Sequence, residues 1–167
     1  MKKMLMLAAT LMVLTIEGNA MARGLEAPYG SAKADTQQRP ILNTVFDVSY
    51  DDPQKLAILY DFIVNTKAVT RGKIVVVSHG PELKAFAKEN YARYRSIVDK
   101  LAALTSQGVA FHMCRNALTA AGYAPEDMHG FITVVPSGFA DIAYYEYKGF
   151  QYINPTPLST RDIRRAE

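Results

Sequence analysis

The chain contains a single cysteine, Cys114, and three histidines, His79, His112 and His129. Cys114 closes the apolar run Val109-Ala110-Phe111-His112-Met113 and is followed by Arg115 and Asn116. A cysteine at a junction between strand and helix lies near free backbone N–H groups and the positive end of the helix dipole, and both favour a thiolate. His112 falls on the same strand face as Cys114, because alternate residues of a strand point to one side. The chemistry on offer is a nucleophilic sulfur beside an imidazole, with Arg115 and Asn116 adjacent for an anionic partner. The competing readings are a cysteine buried as a small apolar residue and a histidine hydrogen-bonded for structure alone.

His79 follows a second apolar run, Ile74-Val75-Val76-Val77-Ser78, and precedes Gly80-Pro81, a rim position suited to titration or to binding an anion. Ser137 sits before Gly138 at the end of a further apolar run. No C-x-x-C, H-x-x-x-H or H-E-x-x-H spacing places metal ligands on one element, and there is no glycine-rich phosphate loop, so neither a metal nor another cofactor is expected. Ser78 and Ser137 lack the G-x-S-x-G setting of a hydrolase nucleophile. Tyr91-Ala92-Arg93-Tyr94-Arg95 alternates rings and cations, but on a helix this reads as a solvated amphipathic face.

These groups need a compartment and a scaffold. Lys2 and Lys3 precede an apolar stretch over residues 4–16, and Ala20-Met21-Ala22 follows, the pattern of a secretory signal peptide cleaved after Ala22. The stretch is short for a membrane span, which needs about 20 residues, so no stable span is expected and the product is exported or periplasmic. Removing Lys2, Lys3 and Glu17 from 19 basic and 16 acidic residues leaves 17 against 15, too mild a balance for a nucleic-acid partner. One cysteine forms no internal disulfide, so in an oxidising compartment Cys114 is either buried or used.

Residues 23–40 show no apolar periodicity and read as a flexible lead-in; residues 156–167, with Arg161, Asp162, Arg164 and Arg165, read as a charged tail. Between them the pattern alternates. Strands are expected over 44–50, 73–78, 109–114 and 131–135, with a short last one over 151–153. Asp52-Pro53 starts a helix through Leu56, Leu59 and Ile63, and helix formers run over 82–107, with a possible bend near Glu89 and Asn90. Shorter helices follow over 116–121 and 139–147. Such alternation predicts one α/β domain over 41–155: a three-layer α/β/α sandwich on a mainly parallel sheet of about five strands. Ligands of such sheets bind beyond the carboxyl ends of the strands, where Asp51, His79, Cys114 and Ser137 fall. Tyr144, Tyr145 and Tyr147, with Phe139 and Phe150, carry more aromatic surface than one stripe of a short helix buries, which predicts a homo-oligomer.

Four segments in order, Val75-Val76-Val77-Ser78-His79-Gly80-Pro81, Gly108-Val109-Ala110-Phe111-His112-Met113-Cys114-Arg115-Asn116-Ala117-Leu118, Val134-Val135-Pro136-Ser137-Gly138 and Lys148-Gly149-Phe150-Gln151-Tyr152-Ile153-Asn154-Pro155, resemble the DsrE/DsrF-like family in its exported branch. The resemblance covers roughly residues 42 to 155. In relatives of the DsrEFH and TusBCD sulfur-relay type, a cysteine between strand and helix accepts sulfur as a persulfide and passes it on. The resemblance therefore implies that Cys114 takes sulfur from a donor and delivers it to an acceptor protein. It also implies assembly into a trimer or hexamer.

Overall fold

A computed structural model describes residues 31–156 of the chain. The expected signal peptide over 1–22, the start of the lead-in and all but the first residue of the tail lie outside the described residues. Residues 31–40 carry no helix or strand. Strand β1 (Leu42–Val48) leads into Asp52, whose carboxylate accepts from the Gln54 N–H at 2.9 Å and caps a 3₁₀ turn begun by Pro53. Proline suits that first position because its absent N–H has no helical partner to lose. Helix α1 (Leu56–Thr70) continues from it and buries Leu56, Leu59 and Ile63, spaced to fall on one face. Each fully buried side chain of this kind contributes about 1.5–3 kcal/mol.

The helix ends at Arg71, held in the left-handed region at φ 55°. Strand β2 (Arg71–Ser78) begins at once, and its second residue, Gly72, lies against β1. A β-carbon there would overlap the Leu42 carbonyl and stand 2.8 Å from the Asn43 nitrogen, at the register shift between β1 and β2. Glycine is what lets the two backbones approach.

The helical stretch expected over 82–107 is interrupted near Glu89 and Asn90, the site of the expected bend, and its first part is corrected by the structure. Pro81–Phe86 is a 3₁₀ segment, Ala87 is extended and bridges to Met128, and a second 3₁₀ turn precedes helix α2 (Tyr91–Leu104). The reason lies at Glu82: its carboxylate is wholly buried and bound to backbone and side-chain donors, which holds this segment in the tighter coil. Strand β3 (Val109–Cys114), helix α3 (Arg115–Ala120), strand β4 (Ile132–Val135), helix α4 (Gly138–Tyr147) and strand β5 (Gln151–Ile153) complete the order.

Among the described residues all strand pairs are parallel, in the spatial order β4-β3-β2-β1-β5. The chain is an α/β sandwich with helices on both sides of a five-stranded sheet. On one face Phe46, Ile74, Val76, Phe111 and Met113 join Leu56, Leu59, Ile63, Leu101, Leu104 and Leu118 in the main core. On the other a smaller cluster of Val45, Val75, Val77 and Ile142 lies beneath α4. None of the described helices is long and apolar enough to cross a membrane.

Candidate functional site

The parallel register puts Val77 beside His112 and Ser78 beside Met113, so His79 and Cys114 leave neighbouring strands at the same level. Both lie on the face that α4 covers. Cys114 is the last residue of β3 and the N-cap position of α3, as its place in the sequence predicts, but it is only 7% exposed and its thiol makes no hydrogen bond among the described residues.

Its cover comes from α4. A β-carbon on Gly138 would stand 3.1 Å from the Cys114 β-carbon, 3.4 Å from Val77 Cγ1 and 3.6 Å from the His79 β-carbon. The glycine therefore permits the first turn of α4 to settle on the cysteine and the histidine together. Ser137 fixes where that turn begins: it is the N-cap, and its Oγ accepts from the Ala140 N–H at 3.4 Å. An N-cap hydroxyl satisfies one of the free amides at a helix start.

Each histidine on this face is held by a carboxylate. His79 Nε2 lies 2.6 Å from Asp47 Oδ1, and the other oxygen of Asp47 accepts from the Tyr152 hydroxyl at 2.6 Å. That hydrogen bond raises the pKa of the Tyr152 phenol. His112 Nδ1 lies 2.7 Å from Asp141 Oδ2, which descends from α4. The rings are also packed, His79 against Phe139 at 4.9 Å between centroids and His112 against Tyr145 at 5.6 Å. Beside His79 a cleft of about 310 Å³ opens between Pro81, Leu83 and Lys84 on one side and Ala117, Ala120 and Ala121 on the other.

The loop carrying His79 is anchored from behind. The buried Glu82 carboxylate accepts from the Tyr50 N–H at 2.7 Å, from the Gly80 N–H at 3.1 Å and from the Ser78 hydroxyl. Burial raises its pKa in spite of those donors, which favour the charged form. A β-carbon on Gly80 would overlap that carboxylate and stand 2.8 Å from the Ser49 Cα, so glycine is required there as well.

The structure thus gathers Cys114, His79 and His112 under the start of α4, with Ser137 defining that start. Arg115 and Asn116 are exposed on α3 and form no hydrogen bond or ion pair with any of them. Asp51 pairs instead with Lys55 at 2.7 Å. Asp47, Asp141, Tyr152 and Gly138 escaped the sequence reading. One signal for Asp47 was present: it is a lone charge inside the run Val45-Phe46-Asp47-Val48, on the same strand parity as Val45. Among the described residues no group of three or more histidine, cysteine or acidic side chains is placed to hold a metal ion.

Comparison with curated proteins gives no match. Among solved structures the chain is similar to MTH1491, a protein of unknown function from Methanobacterium thermoautotrophicum. The two share 28% identity with a TM-score of 0.58, over 68% of this chain and 99% of that one. The DsrE/DsrF-like family model matches residues 43–155, which spans helices α1 to α4 and, save for the first residue of β1, strands β1 to β5. On that match, and with the parallel five-stranded sheet it accompanies, the chain belongs to the DsrE/DsrF-like family.

Proposed function

We propose that this protein is an exported sulfur carrier or sulfurtransferase that holds sulfane sulfur as a persulfide on Cys114. Family membership supports a role related to sulfur relay. The observation that carries the finer reading is the setting of Cys114: a thiol between strand and helix, beside His79 and under the first turn of α4. In the forward step the Cys114 thiolate attacks the outer sulfur of a donor. A Cys114 Sγ–S bond forms, the S–S bond of the donor breaks, and its electron pair leaves on the inner sulfur. An acceptor thiol discharges the persulfide by the same exchange in reverse, so no outside oxidant or reductant enters.

The leader Lys2 and Lys3, the apolar residues 4–16 and Ala20-Met21-Ala22 support export, and with it a donor and an acceptor protein outside the cytoplasm. Self-association into a trimer or hexamer is part of the proposal. It is supported by Phe139, Tyr144, Tyr147 and Tyr152, exposed by 69%, 52%, 85% and 46% around one short helix.

Incubation of signal-free protein with polysulfide or thiosulfate, followed by intact mass, tests the chemistry. Wild type gains one or more sulfur atoms and Cys114→Ala gains none; equal loading of the two proteins overturns the reading. The 7% exposure of Cys114 favours a second reading, a module that binds a small anion or a partner with the cysteine serving as packing. Under that reading Cys114 resists a small alkylating reagent until the protein is denatured.

A further inference from the structure

Persulfide exchange raises a question of protons that the geometry around His79 addresses. The thiol of Cys114 must lose a proton to attack, and a thiolate expelled from an organic hydropersulfide must gain one, whereas sulfite expelled from thiosulfate needs none. His79 is fixed through one nitrogen only. Its Nε2 engages Asp47 on β1, and Asp47 is locked in turn by Tyr152 on β5. Its Nδ1 has no partner among the described residues, and Cys114 stands on β3, the strand on the opposite flank. Both side chains border the point where a Gly138 β-carbon would be.

Charge argues about the donor too. The polar groups that face the histidines on this side of the sheet are the carboxylates of Asp47 and Asp141 and the tyrosine hydroxyl of Tyr152, while no lysine or arginine pairs with Asp47, Asp141, His79 or His112. With neutral imidazoles each pair carries a net negative charge, and with protonated ones each is neutral. A dianion such as thiosulfate finds no excess of positive charge there in either state. The cleft beside His79 carries Lys84 on its wall, but the rest of that wall, Pro81, Leu83, Ala117, Ala120 and Ala121, offers apolar surface to an organic group.

We infer that His79 is the proton shuttle of Cys114, positioned by Asp47 and Tyr152, and that the donor class is a small organic hydropersulfide, R–S–SH. The inference rests on the carrier reading above. In the step it assigns, Nδ1 takes the Cys114 proton as Sγ bonds to the outer sulfur of the donor. The S–S bond of the donor breaks with its pair on the inner sulfur, and Nδ1 returns the proton to that thiolate. The products are Cys114–S–SH and R–SH, with every atom and electron accounted for.

The test is initial loading of Cys114, read by intact mass, from cysteine hydropersulfide and from thiosulfate at equal concentration. It is made on wild type, His79→Gln, Asp47→Asn and Tyr152→Phe, each checked for fold by circular dichroism. General acid–base groups contribute about 100- to 10,000-fold, so the ratio of hydropersulfide to thiosulfate loading is expected to fall about tenfold or more in His79→Gln and Asp47→Asn. Tyr152→Phe, which removes one hydrogen bond at an exposed edge, lowers the ratio by a smaller factor and keeps the test open if Asp47→Asn does not fold. An unchanged ratio in variants that still load sulfur overturns the inference and leaves the carrier reading standing. Loading of wild type from neither donor overturns both.

Discussion

On the face of the sheet covered by α1 and α2, Phe46, Ile74, Val76, Phe111 and Met113 are at most 2% exposed, and Phe131 packs edge to face against both Phe86 and Phe111. On the face covered by α4 the same strands present Asp47, His79, His112 and Cys114. The difference follows from strand parity, since neighbouring residues of one strand point to opposite faces. A single strand therefore supplies stability with one set of residues and chemistry with the other. Under the ten-residue α4 the two histidines and their carboxylates are paired, with side chains 12–16% exposed, while Cys114 is buried.

The contrast is broken most strongly by truncating the sealed face. Phe46→Ala should cost about 3–5 kcal/mol, read by urea denaturation, because a fully buried ring leaves a cavity that its neighbours fill poorly. Cys114→Ala, on the other face, should cost no more than about 1 kcal/mol while abolishing sulfur loading. Equal losses from the two variants would erase the division of labour.

Glu82 sharpens the comparison, since among the described residues it is the one charged side chain buried on the sealed side. Glu82→Gln places an amide N–H against a backbone donor and should cost about 1–3 kcal/mol. The sign of its pH dependence follows from burial, which raises the folded pKa above the ordinary 4.5. The fold then favours the protonated acid, so the contribution is complete below 4.5 and is lost as pH rises through the folded value. Denaturation between pH 4 and neutrality should show that slope in wild type and its loss in Glu82→Gln. His129 slopes the other way. Burial lowers its pKa below 6.5 and its Nε2 has no hydrogen-bond partner, so its contribution is present above 6.5 and lost as pH falls through the folded value. His129→Phe should remove that acid sensitivity, measured as the melting temperature below pH 6.5.

Thr44 is a polar residue on the sealed face. Its Oγ1 is buried without a partner, so Thr44→Val, similar in shape, should stabilise the protein by about 1 kcal/mol in the same denaturation experiment. The smallest effect on folding is expected from Tyr147→Ser on the outer side of α4, within about 0.5 kcal/mol, since the ring is 85% exposed. Its consequence should be seen instead in light scattering, as a lower assembly mass at micromolar concentration.

Much of this arrangement was legible along the chain. Apolar runs ending at His79 and Cys114 gave two strands, Asp52-Pro53 gave a helix start, and period-two alternation put His112 and Cys114 on one face. These signals are local: capping, backbone preference and side-chain period act over a few residues, so the sequence by itself determined the element order, the α/β class and the cysteine at its strand–helix junction. The partners of the two histidines lie 32 and 29 residues away, and only folding brings them within hydrogen-bonding distance. The order β4-β3-β2-β1-β5, the seating of Gly138 on Cys114 and the burial of Glu82, which turned an expected helix into a 3₁₀ coil, were likewise decided by tertiary structure. Their cause is close packing between segments remote in sequence: it selects which glycine must lack a side chain and which carboxylate can be buried, and no run of neighbouring residues encodes either choice.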